Sequence, residues 1–250
     1  MKVLITGASS GIGRDMARYL SAKGFDLVLT ARNTGRLERL RKELKTDVDI
    51  IYCDLSKEDA AFELYHKCRD KGIDMLINNA GYGVFGEFHE TDISNELDML
   101  NVNIRSLHIL TKLFLKDFRK RNRGRILNVA SSAGFMTGPL MSSYYASKNY
   151  VVRLSLAIYE ELRRSRSRVK ISVFCPGPVE TNFNNRAGVN FSAPPISSEY
   201  AAKYAVDKWL AGKTIIIPTA AMKLGVMASK LVPVKLLGAI TCDIQHRKSK

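Results

Sequence analysis

The chain alternates between short apolar runs and longer segments in which apolar residues recur every three or four positions. The short runs are typical of buried strands, and the periodic segments are typical of amphipathic helices. The predicted strands are residues 2–6, 26–30, 48–53, 73–77, 125–130, 170–175 and 214–217. Helical patterns lie between them, at about 14–23, 34–45, 57–71, 91–122, 144–162 and 198–212. This order predicts a single α/β domain with a doubly wound, mostly parallel sheet of about seven strands flanked by helices.

One segment without periodicity is expected to lie near a ligand. Residues 182–197 are turn-rich, and a loop of this length in a compact domain is usually functional. From its position we expect it to cover a substrate cleft, with Phe183, Val189 and Phe191 in an apolar wall.

The C-terminal residues 219–250 follow the domain of residues 1–218 as an extension. Its apolar residues are interrupted by Pro233 and by Lys223, Lys230 and Lys235. We expect the extension to pack on the domain or to form an oligomer contact. Contact with a membrane surface is the alternative interpretation.

A glycine-rich segment, Gly7-Ala8-Ser9-Ser10-Gly11-Ile12-Gly13, follows the first predicted strand and precedes a helix. Glycines there let the backbone turn sharply and approach a pyrophosphate, which the free N–H groups at the helix start stabilise. The segment therefore predicts a dinucleotide-binding loop.

Arg32 follows the second predicted strand, where an acidic residue would receive the ribose hydroxyls of NAD. An arginine there can pair with a 2′-phosphate, and Arg14 could add a second positive charge. These residues predict NADP (NADPH) as the cofactor. The alternative is that Arg32 is a solvated loop cation.

Tyr144 and Lys148 are four residues apart in a predicted helix and so project from one face. A nearby ammonium favours a phenolate, so the pKa of Tyr144 should be lowered and the group could exchange a proton with a substrate oxygen. Ser131, predicted at the carboxyl end of the preceding strand, could bond the same oxygen. Taken alone, the pair could also be a surface lysine beside an interfacial tyrosine.

In combination these motifs resemble the short-chain dehydrogenase/reductase family. The resemblance covers roughly residues 1 to 218. It is carried by Thr6–Gly13, Asp54, Asn78-Asn79-Ala80-Gly81, Asn103, Ser131, Tyr144 with Lys148, and Pro176-Gly177-Pro178-Val179 with Thr181. The resemblance implies a Rossmann-like fold and an NADP(H)-dependent oxidoreductase. Hydride would pass between nicotinamide and a carbonyl or secondary alcohol substrate.

The resemblance also implies roles for individual residues. Asn103, Ser131, Tyr144 and Lys148 would be the catalytic set, in which Asn103 holds a water that links the lysine to solvent. A helix kink stabilised by side-chain amides is the alternative for Asn103. The implied cofactor-binding residues are Gly7, Ser9, Ser10, Gly11, Ile12, Gly13, Arg14, Arg32, Asp54, Leu55, Asn79, Ala80, Gly81, Tyr144, Lys148, Pro176, Gly177, Val179 and Thr181.

Two of these assignments have alternatives. In the family an Asp at the position of Asp54 bonds the adenine amine, but Asp54 and Ser56 could merely cap a helix that starts at Lys57. Asn78–Gly81 would steady the sheet and line the adenosine ribose, or it is only a turn. Val179 and Thr181 would hold the carboxamide of the nicotinamide.

The net charge of +15 predicts attraction of anions such as phosphates, nucleic acid or acidic lipid. Much of the excess lies at helix ends, where solvated cations are favoured, so nucleic acid is not expected as a partner. Four scattered cysteines and four isolated histidines predict no metal site and a reducing, cytoplasmic location. The first strand begins at Lys2, which leaves no room for a signal peptide.

Partners and substrate are less defined. Resemblance alone implies a homodimer or homotetramer. A small carbonyl or alcohol compound is the expected substrate, and the apolar loop and extension favour an apolar one. The rival functions are a nucleotide-binding sensor without turnover, and association with nucleic acid or an anionic membrane through the basic clusters.

Overall fold

Seven parallel strands form the central sheet of the computed structural model, which describes residues 1–181, 183 and 194–246. The chain has nine strands in the described residues: β1 (Lys2–Thr6), β2 (Asp26–Ala31), β3 (Val48–Tyr52), β4 (Ile73–Asn78), β5 (Arg125–Val129), β6 (Lys170–Phe174), β7 (Val179–Glu180), β8 (Ile196–Ser197) and β9 (Ile215–Ile216). All except β7 and β8 belong to the central sheet. The sheet order is β3-β2-β1-β4-β5-β6-β9, and β7 and β8 form a separate parallel pair. The predicted single α/β domain is confirmed. Val189, Phe191 and the basic residues after His246 lie outside the described residues.

Helices cover both faces of this sheet. They are α1 (Gly11–Ala22), α2 (Thr34–Glu43), α3 (Ala60–Cys68), α4 (Ile93–Leu100), α5 (Leu107–Lys120), α6 (Ser142–Arg164), α7 (Ser198–Leu210), α8 (Ala220–Ser229) and α9 (Val234–His246). One apolar core joins α1, α2 and α7 to the sheet, and another joins α3, α5 and α6 to it. Trp209 of α7 is fully buried, and its indole N–H donates to the carbonyl of Ile126 over 3.2 Å. The strands are thus apolar on both sides, as the continuous apolar runs predict.

The predicted long helix over 91–122 is interrupted by a π-helical segment, Asn101–Ser106, between α4 and α5. The extra residue per turn lets side chains from this segment reach backbone carbonyls of the loop after β3. The Asn101 amide donates to the carbonyl of Ser56 over 3.0 Å, and the Ser106 hydroxyl donates to that of Leu55 over 2.8 Å. The polar residues that make this segment a poor α-helix therefore anchor it to the loop that follows β3.

The helix α3 begins at Ala60, three residues later than the sequence predicts. Asp54 accepts hydrogen bonds from the backbone N–H and the hydroxyl of Ser56, over 3.2 and 3.0 Å, which forms a turn before the helix. Asp59 occupies the N-cap position but makes no side-chain capping bond. The alternative that Asp54 and Ser56 cap a helix starting at Lys57 is therefore wrong, because Asp54 bonds its own loop instead of a helix start.

The strand order reverses between β1 and β4, and their carboxyl ends are joined there by Thr6. The Thr6 hydroxyl oxygen accepts the backbone N–H groups of Asn79 and Ala80, each over 3.0 Å. The side-chain amide of Asn79 donates hydrogen bonds to the carbonyls of Thr6 and Gly7, over 3.0 and 3.2 Å. In open α/β sheets ligands bind at such a reversal. The structure therefore holds this edge rigid where a cleft is expected.

Replacing Thr6 with valine should destabilise the protein, because the partly buried backbone amides of Asn79 and Ala80 lose their acceptor while the shape is kept. Each unpaired buried group costs about 1–3 kcal/mol, so we expect the free energy of unfolding to fall by about 2–4 kcal/mol. Urea unfolding measures this change.

The neighbouring strand offers a matched control. Thr30 lies beside Thr6 on β2 and is equally buried, but its hydroxyl accepts no backbone amide among the described residues. Thr30→Val should change stability by less than about 1 kcal/mol. Equal losses for the two variants would contradict the role given to Thr6.

Candidate active site

A cleft of about 1140 Å³ runs along the carboxyl edge of the sheet. The loops after β1, β2, β3 and β4 line one half, and those after β5 and β6 line the other. Arg32 and Arg36 lie at one end, and Tyr144, Phe183 and Ile244 line the other. This volume is large enough for an extended dinucleotide and a further small molecule.

The glycine loop follows β1 and forms the floor of the first half. Gly7 has a φ of +66°, and a Cβ there would lie 2.8 Å from the Cα of Ala80. A Cβ on Gly13 would overlap the Asn79 amide and the Gly7 carbonyl. Ser10, the N-cap of α1, makes no side-chain capping bond, so the first N–H groups of this helix are left for a ligand. These features fit the pyrophosphate of a dinucleotide, although Gly13 itself packs behind the loop.

Most of the predicted cofactor residues line this cleft. They are Gly7, Ser9, Ser10, Gly11, Ile12, Arg32, Asp54, Leu55, Asn79, Ala80, Gly81, Tyr144, Lys148, Pro176, Gly177, Val179 and Thr181. The structure thus brings together residues from five different loops and from helix α6. Their order along the cleft follows the order of the strands in the sheet.

Arg14 does not line the cleft, in contrast to the sequence prediction. Its guanidinium binds both carboxylate oxygens of Asp15, over 2.9 and 3.1 Å. Asp15 is buried and also accepts bonds from Arg18 and from the Ser198 hydroxyl at the start of α7. Arg14 is therefore held by a buried carboxylate that links α1 to α7. The second cation beside Arg32 is Arg36, in the first turn of α2, which lines the cleft instead.

Tyr144, Lys148 and Ser131 meet at the end of β5. Ser131 follows the strand, accepts the N–H of Ala133 over 3.2 Å and hydrogen-bonds the Tyr144 hydroxyl. The Lys148 Nζ donates to the carbonyl of Val129 over 3.1 Å and lies 5.8 Å from the centre of the Tyr144 ring. Tyr144 and Lys148 are both buried. The phenol, the hydroxyl and the ammonium therefore share one small volume at the cleft wall.

Asn103 lies behind this group, fully buried in the π-helical segment. Its side chain accepts the N–H of Tyr82 over 3.1 Å and donates to the carbonyl of Tyr82 over 2.9 Å. It also donates to the Ser147 hydroxyl over 3.1 Å. Asn103 thus joins the loop after β4 to the helix that carries Tyr144 and Lys148. It does not itself line the cleft.

Burial shifts the pKa values of both cleft-wall groups. It raises the pKa of Tyr144 above its ordinary value, although the hydrogen bond with Ser131 acts in the opposite direction. Burial also lowers the pKa of Lys148 to about 8. The sequence-based expectation of a lowered Tyr144 pKa is therefore wrong for this structure, because loss of solvation outweighs the hydrogen bond with Ser131. At neutral pH the phenol is protonated and able to donate a proton.

Sequence reasoning missed several cleft residues. Tyr82, Met141, Tyr145 and Ile244 line the Tyr144 end. Phe183, which the sequence analysis expects in an apolar wall, packs against the Tyr144 ring with 5.4 Å between ring centres. Ile244 comes from α9, 99 residues after Tyr145 in sequence. The Gln245 amide donates to the Tyr145 hydroxyl over 2.6 Å and fixes α9 at this end of the cleft. The apolar periodicity of the extension did not indicate which of its residues would reach the site.

Comparison with known proteins places this cleft in a family. The protein-family model described as short chain dehydrogenase matches residues 1–190 of this chain. This chain belongs to the short-chain dehydrogenase/reductase family. Human dehydrogenase/reductase SDR family member 11 is 35% identical over 191 residues, which cover 72% of this chain and 74% of the human protein.

Two solved family structures have the same architecture. A short-chain dehydrogenase from Sphingobium yanoikuyae in complex with NADPH matches with a TM-score of 0.83 and 29% identity, over 92% of this chain and 93% of that chain. One from Burkholderia phymatum in complex with NAD matches with a TM-score of 0.82 and 25% identity, over 90% and 91% of the chains. Similar folds thus hold either nucleotide, so the fold alone does not choose between NADP and NAD. In the described part of this chain no cluster of His, Cys, Asp and Glu side chains is arranged to hold a metal ion.

The pKa of Lys148 predicts a pH-dependent stability. Its folded-state pKa of about 8 is below the ordinary value of 10.5, so the folded protein loses this proton before the unfolded chain does. The contribution of Lys148 to stability should therefore rise between pH 8 and 10.5, by about 3 kcal/mol in total.

Urea unfolding at several pH values, with Lys148→Met as the reference, isolates this effect. The free energy of unfolding of the unmodified protein, minus that of the variant, should increase across the window. A difference that is constant with pH would mean that Lys148 is solvated in the folded protein.

Proposed function

We propose that the protein is an NADP(H)-dependent oxidoreductase that interconverts a carbonyl compound and a secondary alcohol. The observation that carries the proposal is that buried Tyr144 and Lys148 meet half-buried Ser131 in a cleft whose far end presents Arg32. A protonated phenol beside a hydroxyl is suited to bind and protonate a carbonyl oxygen. The bound cofactor would supply or accept the hydride.

The two ends of the cleft suggest how a dinucleotide would be oriented. The glycine loop and the α1 N-terminus would hold its pyrophosphate, and Arg32 and Arg36 would hold a 2′-phosphate. Asp54 and Leu55 would border the adenine, while Pro176, Gly177, Val179 and Thr181 would hold the nicotinamide. The absence of an acidic residue at position 32 favours NADP over NAD.

The proton would be exchanged at the Tyr144 hydroxyl. In the reducing direction this hydroxyl donates to the carbonyl oxygen, and Ser131 donates a second hydrogen bond that polarises the same oxygen. Lys148 is mostly protonated at neutral pH, and its charge favours the phenolate that remains. Asn103 would act as a positioning residue through Ser147, whose hydroxyl bonds the Tyr144 carbonyl over 2.7 Å.

The substrate end favours an apolar compound. Phe183, Met141, Tyr145 and Ile244 line the same end of the cleft as Tyr144, so the carbonyl would be flanked by hydrocarbon or aromatic groups. Assembly as a homodimer or homotetramer stays a prediction from the family resemblance.

Replacing Tyr144 with phenylalanine should remove proton exchange without disturbing nucleotide binding. We expect reduction of a reactive aryl ketone with NADPH to slow at least roughly a hundredfold, the usual scale for acid–base groups. The dissociation constant of NADPH, measured by nucleotide fluorescence, should stay within a few fold.

Tyr145→Phe is the matched control, because Tyr145 lines the same cleft while its hydroxyl binds Gln245. Its turnover should fall by less than roughly tenfold. If Tyr144→Phe kept full turnover, the assignment of Tyr144 as the proton donor would fail.

Arg32→Asp should reverse the nucleotide preference, because a carboxylate repels a 2′-phosphate and accepts ribose hydroxyls. We expect the ratio of the NADPH and NADH dissociation constants to change by at least roughly a hundredfold.

Arg39→Asp makes the same charge change on α2 at an exposed position away from the cleft. This variant should change the ratio of the NADPH and NADH dissociation constants by no more than a few fold. Equal affinity of the unmodified protein for NADH and NADPH would refute the inference from Arg32.

A further inference from the structure

The C-terminal part of the chain exposes many large apolar side chains. Seven of them, each between 43% and 87% exposed, form what we term the C-terminal apolar face: Leu224, Met227, Leu231, Val234, Leu236, Ile240 and Ile244. They lie within 21 consecutive positions, on α8, on α9 and on the turn between them. Grouped exposed apolar residues usually mark a surface that contacts another molecule.

The helix α9 is amphipathic in the opposite sense to an ordinary surface helix. Leu236, Ile240 and Ile244 recur every four residues and are exposed, while Thr241 and Gln245 are buried against the domain. Gln245 is fully buried and bonds Tyr145. A helix of a globular protein normally turns its apolar side to the core. The polar side of α9 is therefore its anchor, and its apolar side is directed away from the protein.

The helix α8 also exposes apolar side chains. Val226 and Ser229 are buried against the domain, whereas Leu224 and Met227, three residues apart, are exposed on another side. Both helices are shorter than the ~20 residues that cross a bilayer. Among the described residues no helix combines the length and hydropathy needed to span a membrane. The two helices are therefore suited to lie on a surface.

The charges around the apolar face select an anionic partner. Lys223, Lys230 and Lys235 are exposed within it, and Asp243 is the one acidic residue between positions 219 and 250. Lys223 donates to the Tyr204 hydroxyl over 3.3 Å, and Lys230 lies over the Phe135 ring, so these partners leave both charges uncompensated. The sequence continues with Arg247, Lys248 and Lys250.

These charges disfavour a second copy of the chain as the partner. A twofold interface would place the same surface against itself and bring lysines from both copies together. Asp243 alone would have to pair with them. An anionic lipid surface instead accepts apolar side chains in its hydrocarbon boundary and lysines at its phosphates.

We propose that α8 and α9 bind the surface of an anionic lipid bilayer. The seven residues of the C-terminal apolar face enter the boundary between headgroups and acyl chains, and the three lysines contact lipid phosphates. Ile244 belongs to this face and also lines the cleft, so the Tyr144 end of the cleft lies next to the lipid.

Sedimentation of the full chain with lipid vesicles tests this proposal. Vesicles of phosphatidylcholine are compared with vesicles that also contain phosphatidylserine, at two salt concentrations. We expect a partition coefficient at least roughly tenfold higher on the anionic vesicles, which falls as salt rises. The triple variant Lys223→Gln, Lys230→Gln, Lys235→Gln should lower it roughly a hundredfold.

Matched variants separate this surface from general charge and hydrophobicity. Lys42→Gln, Lys116→Gln and Lys120→Gln together remove the same charge from exposed positions elsewhere and should change partition by only a few fold. Leu236→Gln with Ile240→Gln should reduce binding at least roughly tenfold, whereas Phe62→Gln, an exposed apolar residue of α3, should not. Cooperative thermal unfolding of each variant verifies that it is folded.

Three outcomes would overturn the proposal. They are no binding of the unmodified protein to anionic vesicles, equal binding to neutral ones, and a dimer in sedimentation equilibrium that Leu236→Gln with Ile240→Gln converts to monomer. The last would show that a second copy covers the apolar face. The vesicle measurement needs no turnover, so its failure would leave the proposed oxidoreductase function intact.

Discussion

The hydrogen bonds between the ends of β1 and β4 are the constraint on which the cleft depends. Four hydrogen bonds join Thr6 and Gly7 to Asn79 and Ala80 there, and they set the glycine loop directly against Ala80. Because this junction lies where the strand order reverses, it leaves an open groove between the loops on either side. The lack of a side chain at Gly7 and Gly13 allows the approach. A nucleotide-binding surface thus arises from backbone groups that the sheet has already fixed.

Burial determines the chemistry at the opposite end of the cleft. Tyr144 and Lys148 are removed from water by α6, by the end of β5 and by the loop after β4. Loss of solvation favours the neutral form of each group, so the phenol keeps its proton and the amine releases its proton more readily. Asn103 and Ser147 tie the elements that carry these groups together. The site is therefore organised by polar contacts behind the cleft wall as much as by the residues on it.

The sequence was sufficient to predict the order of strands and helices, because continuous apolar runs alternate regularly with amphipathic segments. It was also sufficient to predict that Ser131, Tyr144 and Lys148 meet, since a strand end and one helical turn bring them together. It was insufficient where distant residues decide the outcome. Arg14 pairs with Asp15 because Ser198 and α7 bury that carboxylate, and a contact over 183 positions leaves no local pattern. The direction of the Tyr144 pKa shift depends on burial, which residue spacing does not encode. The reversed amphipathicity of α9 was hidden for the same reason, because periodicity does not reveal which side packs.

The most direct test of the central claim is a crystal structure of the protein with NADPH. The account predicts that the nicotinamide ring lies beside the Tyr144 hydroxyl, with Lys148 on its ribose and the 2′-phosphate between Arg32 and Arg36. A nucleotide bound outside the cleft, or one whose nicotinamide lies at the arginine end, would contradict it.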